Sequence, residues 1–119
     1  MDALTAIKNV ADNLGYPSRP DLYKGDADRF VTYNYAKISG DNYGDDRPDC
    51  NVAAVQVHLY IPLKENFISR LTTMQNALFE AGFTWPDVTV LTEYDETQTV
   101  DGLDGIRHIA FECDYEETL

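Results

Sequence analysis

Residues 52–61 read VAAVQVHLYI and form the clearest predicted element of the chain. Apolar residues alternate along it with residues that are small or carry a polar group. The apolar set is Val55, Val57, Leu59 and Ile61, and the other set is Ala54, Gln56, His58 and Tyr60. A two-residue period is typical of a β-strand with one face against a core. Pro62 follows directly and is expected to end the strand. We therefore predict a strand over 52–61.

The preceding stretch predicts a hairpin partner for this strand. Residues 29–38, RFVTYNYAKI, are rich in aromatic and β-branched residues, which favour strands. Residues 39–51, SGDNYGDDRPDCN, contain two glycines, a proline and four aspartates against a single arginine. Such a polar segment is expected to be an exposed loop. The two strands are therefore predicted to form a long hairpin around this loop.

Two amphipathic helices are predicted outside the hairpin. The first spans about 2–14, where apolar residues recur every three or four positions, and Gly15 is expected to end it. The second spans about 64–81 and is expected to end at Gly82. Its predicted apolar stripe comprises Phe67, Ile68, Leu71, Met74, Leu78 and Phe79. The stretch 15–28 is expected to be an irregular connection, because it contains two prolines and two glycines.

Two further strands complete the predicted fold. Residues 88–99 and 105–117 both alternate in polarity, and the intervening Asp-Gly pairs favour a hairpin turn. The predicted element order is α-β-β-α-β-β. The predicted class is α+β, with a mainly antiparallel four-stranded sheet and two helices packed on one face. At 119 residues, we expect one domain over 1–119.

The charge balance excludes some classes of partner. Nine basic residues against 21 acidic ones give a net charge of −12, which opposes direct binding to nucleic acid or an anionic membrane. No apolar run approaches the roughly 20 residues that span a bilayer, and the first residues do not resemble a signal peptide. We expect a cytoplasmic product whose Cys50 and Cys113 are free thiols.

The residues that could support chemistry are few. His58 and His108 fall in predicted strands on the face opposite the apolar residues. With Glu93 or Glu112 they could form a metal or acid–base site. Their spacing matches no ligand motif, which favours ordinary surface or interface histidines, and the common enzyme motifs are missing from the sequence. We therefore assign no catalytic residue, cofactor or metal ligand, and expect a protein that is not an enzyme.

Several segments taken in order resemble a known family. They are the acidic loop GDNYGDD, the strand ending VHLYIP, the helix ending LFEAGF, the segment EYDE and the last strand with RHIAFE, together covering about 29–116. In order and spacing they resemble the tail-terminator or tail-completion proteins of long-tailed bacteriophages and prophages. The resemblance implies an α+β subunit of a ring, often hexameric, that caps the tail tube, stops its growth and meets the head connector.

This resemblance implies partners and a place of action rather than a reaction. The partners would be the tail-tube protein, head-connector or neck proteins and further copies of the chain, in the host bacterial cytoplasm during assembly and then in the virion tail or neck. An acidic ring lumen would let DNA pass without binding it. The candidate assembly contacts are Asp41, Asn42, Tyr43, Asp45, Asp46, Arg47, Glu93, Tyr94 and Asp95, together with exposed strand edges.

Two other interpretations remain open at this point. One is a neighbouring neck protein that closes the head or joins head to tail. The other is an acidic monomeric binding module or inhibitor, which the charge of −12 would suit. A small enzyme with an unusual site would need a deep pocket containing one of the histidines beside a carboxylate.

Overall fold

The computed structural model describes residues 1–23, 25, 27–44, 47–94 and 105–118, with side chains described throughout these ranges except at 41–44 and 92–94. It confirms an α+β fold with two helices and corrects the predicted sheet, which has five strands rather than four and is mixed rather than antiparallel. The elements in chain order are α1 (Ala3–Leu14), β1 (Ser18–Pro20), β2 (Phe30–Gly44), β3 (Arg47–Pro62), α2 (Phe67–Glu80), β4 (Asp87–Tyr94) and β5 (Gly105–Thr118).

The strands lie in the order β1-β2-β3-β5-β4. The β2–β3, β3–β5 and β4–β5 pairs are antiparallel, whereas β1 runs parallel to β2. β1 lies in the stretch that we expected to be irregular. Its three residues carry no alternating pattern, and the strand exists because its backbone pairs with β2 from Ser18 opposite Val31 to Pro20 opposite Tyr33.

One face of the sheet and both helices enclose the core. The predicted alternation in β3 is confirmed, because Val55, Val57, Leu59 and Ile61 are all buried, and the two neighbouring strands add further apolar residues beside them. Within this core, Val57 of β3 lies opposite Tyr33 of β2 and Phe111 of β5. Both helices therefore pack on this helix-covered face, and the opposite face of the sheet is helix-free.

The helix ends follow the predicted signals. The Asp2 carboxylate accepts a hydrogen bond from the Thr5 N–H and caps α1, while Gly15 ends it with a φ of 83° in the left-handed region. The apolar stripe predicted for α2 is only partly right. Met74 and Leu78 are buried, but Ile68 and Phe79 are more than half exposed.

The predicted exposed loop over 39–51 is wrong. Strand β2 continues to Gly44 and β3 begins at Arg47. Both strands therefore extend beyond the residues whose alternating pattern predicted them. The reason is that the backbone groups of this polar segment pair with each other across the hairpin, independently of side-chain polarity. Asp45 and Asp46, between the paired ends Gly44 and Arg47, lie outside the described residues.

The long hairpin makes the chain elongated. The radius of gyration is 16.1 Å, whereas a compact domain of this length would have about 13.5 Å. The principal extents are 62 × 23 × 21 Å. A 15-residue strand such as β2 alone spans about 50 Å. The hairpin therefore accounts for most of the long dimension.

Candidate functional site

The tip of the β2–β3 hairpin projects beyond the rest of the described sheet. Cys50 of β3 still pairs with Thr118 near the end of β5, but the pairing of β3 beyond this point is with β2 alone. We call residues 41–49 the projecting hairpin. A two-stranded ribbon is only marginally stable in water by itself. This segment therefore has the geometry of an arm that gains from contact with another molecule.

The candidate contacts fall into two groups at opposite ends of the sheet. Asp41, Asn42 and Tyr43 lie in the last part of β2, and the exposed Arg47 opens β3. Glu93 and Tyr94 instead end β4, at the far end of the sheet: Glu93 pairs with Ile106, which also pairs with Pro62 at the end of β3.

The backbone register thus places about 15 residues of β3, roughly 50 Å, between the two groups. They do not form one acidic patch. Asp45, Asp46 and Asp95 lie outside the described residues.

A carboxylate anchors the base of the hairpin to the body of the domain. Glu117 of β5 accepts hydrogen bonds from the Tyr35 hydroxyl and from the Ala3 N–H of α1, each at 2.7 Å. Burial and then this carboxylate raise the pKa of Tyr35 to about 12. Just beyond Tyr35, the β2–β3 register shifts by one residue. A bulge tied to α1 and β5 therefore lies in β2 before the hairpin projects past Thr118.

Both sides of the sheet end in a strand with an open edge. Within the described part of the chain, β1 covers β2 only from Val31 to Tyr33, so residues 34–44 have no strand on that side. On the other side, β4 pairs with β5 alone. Lys37 and Ile38 are exposed in β2, and Val90 and Leu91 are exposed in β4. Open edges with exposed apolar residues are places where another strand can add.

An aromatic row crosses the helix-free face. Tyr23 stacks on Phe30 with ring centroids 4.4 Å apart, Phe30 stacks on Tyr60 at 4.6 Å, and Tyr60 stacks on His108 at 4.4 Å. The alternation in 52–61 placed Tyr60 on this face, but only the strand register could show its neighbours. The row stiffens the end of the sheet opposite the projecting hairpin.

The two histidines lie on the helix-free face, as predicted, and are diagonal neighbours on adjacent strands. His58 Nδ1 lies 2.8 Å from His108 Nε2, so one ring donates a hydrogen bond to the other. Burial, and next the neighbouring His108, lower the pKa of His58, and Glu112 opposes them.

The histidine pair has no metal-site companions among the residues that the structure describes. No group of three or more His, Cys, Asp or Glu side chains within them could hold a metal ion. Glu112 accepts a long hydrogen bond, 3.5 Å, from Gln56, which also accepts one from Asn34. Glu112 thus ends a polar ladder across three strands. The side chain of Glu93 lies outside the described residues.

A cleft of about 560 Å³ opens between the end of α1 and the start of α2. Its main polar group is Glu65, which forms ion pairs with Arg29 and with Arg70, the latter at 2.8 Å. Arg70 also donates a hydrogen bond of 2.7 Å to the Tyr16 hydroxyl. The two guanidinium groups neutralise the Glu65 carboxylate. Because Arg29 precedes β2 and Arg70 lies in α2, the cluster connects the loop before β2 to α2.

Both cysteines are buried thiols that form no disulfide with each other, which agrees with the prediction of thiols. Burial, and to a smaller extent Asp114, raise the pKa of Cys113 to about 12. A thiol with a pKa this high stays protonated and is a poor nucleophile. Within the described residues, none of the helices is long and apolar enough to cross a membrane.

The chain matches no protein-family model, and a search of curated proteins finds no match either. The function must therefore be inferred from the shape and surface of the molecule itself. Its distinguishing features are the projecting hairpin, the two open edges and the separation of the candidate contacts to opposite ends.

Proposed function

We propose that the chain is a structural subunit of a phage or prophage tail, and that it is the tail terminator, which caps the tail tube as a ring and provides the surface that meets the head. The projecting hairpin is the observation that carries this proposal. Residues 42–44 and 47–49 extend past Thr118 of β5 as a ribbon of two strands, and within the described residues no further strand pairs with them.

The separation of the candidate contacts supports a subunit with two different neighbours. Asp41 and Arg47 lie on the projecting hairpin, whereas Glu93 and Tyr94 lie at the other end of the sheet, about 40 Å from Asp41 and about 50 Å from Arg47 by the register. A terminator must touch the last ring of the tube on one side and the head connector on the other. An elongated subunit with polar groups at both ends suits that position.

The exposed apolar residues also support assembly. Phe79 and Trp85 are 55% and 50% exposed and contact each other edge to face, with centroids 5.8 Å apart. Aromatic side chains are enriched at protein interfaces, where they contribute large contact areas. The aromatic pair at the end of α2 is therefore a further contact for a neighbouring subunit in this proposal.

The experiment that tests the proposal is tube growth in vitro. The tail-tube protein encoded beside this chain is polymerised with and without it, and tube lengths and end structures are recorded by electron microscopy. We expect short tubes, each with a ring of this chain at one end, at substoichiometric amounts. Tubes that grow to the same length with the chain left in solution would contradict the proposal.

A matched pair of variants sharpens this experiment. Asp45→Ala/Asp46→Ala removes two charges from the projecting hairpin and is expected to weaken capping at least tenfold. Asp12→Ala/Glu80→Ala removes two charges from exposed helix positions and is expected to cap like the parent chain. Equal capping by both variants would exclude the hairpin as the tube contact.

A monomeric acidic binding module is a second candidate, and the helix-free face favours it. Asp87, Glu112 and Asp114 are exposed there, beside a shallow cleft of about 220 Å³. Such a module would remain monomeric with tube protein present and would bind a basic partner with an affinity that falls steeply as salt rises. A neck protein other than the terminator would instead bind the head connector and leave tube length unchanged.

A further inference from the structure

Among the described residues the sheet has two open edges, on opposite sides, and the topology fixes the directions of their strands. β2, β3, β5 and β4 are linked by three successive antiparallel pairings, so β2 and β4 run in opposite directions. If a second copy continues the sheet in the same orientation, its β4 meets β2 of the first copy. That contact is antiparallel, which is the more favourable pairing.

We propose that the open edge of β2 in one copy pairs with β4 of the next copy, so that head-to-tail copies share one continuous sheet. The inference rests on the proposed function in that it names the contact that builds the ring. Such a contact joins two different surfaces of the chain, and repetition of it closes into a ring when the rotation allows.

The side chains on the two edges complement each other face by face. Paired residues in an antiparallel sheet share a face. Ile38 pairs with the buried Ala53, so it lies on the helix-covered face, where β4 places Val88 and Val90 opposite Phe111 and Ile109. These apolar residues would meet on one face of the junction.

The other face brings opposite charges into reach of each other. Lys37 pairs with Ala54 on the helix-free face, where β4 places Asp87 opposite Glu112. Lys37 and Asp87 are both exposed. Lys37 is thus a single cation on an open edge that would lie beside an acidic strand. If β2 paired with β2 of the next copy, or β4 with β4, Lys37 would not lie beside Asp87, so these alternative pairings lack the opposite charges.

The register also fixes how the copies are displaced. Asp87 lies level with Asn34, because Glu112 and Gln56 connect them across the sheet. In one copy, β4 is therefore level with the start of β2, and the open residues 34–44 of β2 lie farther along the strand direction. To bring them together, the next copy must shift along the strands toward the hairpin tip. In a closed ring, such a shift tilts the strands relative to the ring axis.

Cross-linking between two single-cysteine variants tests this contact. Ile38→Cys and Val90→Cys are purified separately, mixed, and treated with a short bismaleimide, both alone and on capped tube ends. The native cysteines are buried. We expect cross-linked dimers and higher species in the mixture, at least tenfold more than for Ile38→Cys mixed with the control Ile68→Cys on α2. Equal cross-linking in both mixtures would overturn the proposal.

A charge variant gives an independent readout of the same edge. Lys37→Glu places a negative charge beside acidic β4 and is expected to raise the dissociation constant of the ring at least tenfold. Lys64→Glu, an exposed position outside both edges, is expected to leave it unchanged.

The two proposals fail in distinguishable ways. Capped tubes without Ile38–Val90 cross-links would overturn the edge pairing and leave the terminator function standing. Cross-linked rings that leave tube growth unaffected would overturn the terminator function and leave the edge pairing standing. If neither capping nor cross-linking is observed, both proposals are overturned.

Discussion

The two halves of the β2–β3 hairpin belong to the same strands but differ in burial and in strand pairing. In the half near Val57, every second side chain is buried under the helices, and β5 pairs along the other side of β3. In the projecting hairpin, residues 41–49, the strands are acidic and pair only with each other. One half holds the domain together, and the other is available to a partner.

This difference separates folding from assembly within one element. Substitutions in the buried half should change the free energy of unfolding, because they remove apolar contacts from a packed core. Substitutions in the projecting hairpin should change assembly and leave stability nearly constant, because its strands pair only with each other and the described Arg47 and Asp49 are exposed.

Phe111→Ala should be the most damaging change. Phe111 is fully buried and pairs with Val57 and Val88 across three strands. Removing its ring should lower the free energy of unfolding by about 3–5 kcal/mol, measured by urea denaturation. Ile106→Ala in the same strand, at a position that is 36% exposed, should cost less than half as much. Similar losses for the two variants would contradict the assignment of the core.

Tyr35→Phe should have an intermediate effect at the junction of the two halves. It removes the hydroxyl that donates to Glu117 and should lower the free energy of unfolding by about 1–2 kcal/mol. Tyr115→Phe, on the same sheet, serves as the control and should cost less than about 0.5 kcal/mol.

The same tyrosine predicts an alkaline loss of stability. Its pKa is raised from 10.0 to about 12 in the folded state, so the fold favours the protonated hydroxyl. That stabilisation is fully present below pH 10 and is lost as the pH rises toward 12. Tyr35→Phe should remove this part of the alkaline loss. An unchanged pH profile in the variant would show that Tyr35 is not its source.

The histidine pair predicts a smaller loss of stability in acid. The pKa of His58 is lowered by burial and by His108, so the fold favours the neutral ring. The stabilisation is present above the unfolded pKa of about 6.5 and is lost as the pH falls through the lower folded value. One proton can contribute a slope of at most about 1.4 kcal/mol per pH unit. His58→Gln should flatten this slope in urea unfolding between pH 7 and pH 5; an undiminished slope would assign it to other groups.

Asp45→Ala/Asp46→Ala should have the smallest effect on folding. We expect a change of less than about 0.5 kcal/mol in the free energy of unfolding, although the same variant should lose capping. A loss of several kcal/mol would show that the projecting hairpin is part of the folded core rather than an assembly arm.

The sequence predicts the buried half well because burial leaves a periodic pattern. The alternation in 52–61 and the spacing in the first helix correspond to β3 and α1, with Gly15 at the helix end. The polar extension of both strands and the three-residue β1 leave no such pattern, since backbone pairing forms them. Ile68 and Phe79 match a helical stripe but remain exposed, because periodicity does not reveal how wide a face the sheet covers.

The candidate site was less predictable for a related reason. Sequence indicates that Asp41 and Glu93 are polar and accessible, but only the strand register shows that they lie at opposite ends of the molecule. The open edges likewise depend on the sheet order. The pairing of His58 with His108 was foreseeable from their shared face, but which atoms meet required the structure.

Amide hydrogen exchange can show whether the projecting hairpin and the β2 edge become buried on assembly. Exchange rates are measured for the chain alone and after mixing with the tail-tube protein at growing tube ends. We expect new protection in residues 34–49, with little change in 55–61, which the core already protects. If a complex forms but residues 34–49 exchange as fast as in the free chain, the projecting hairpin and the β2 edge are not the assembly surface.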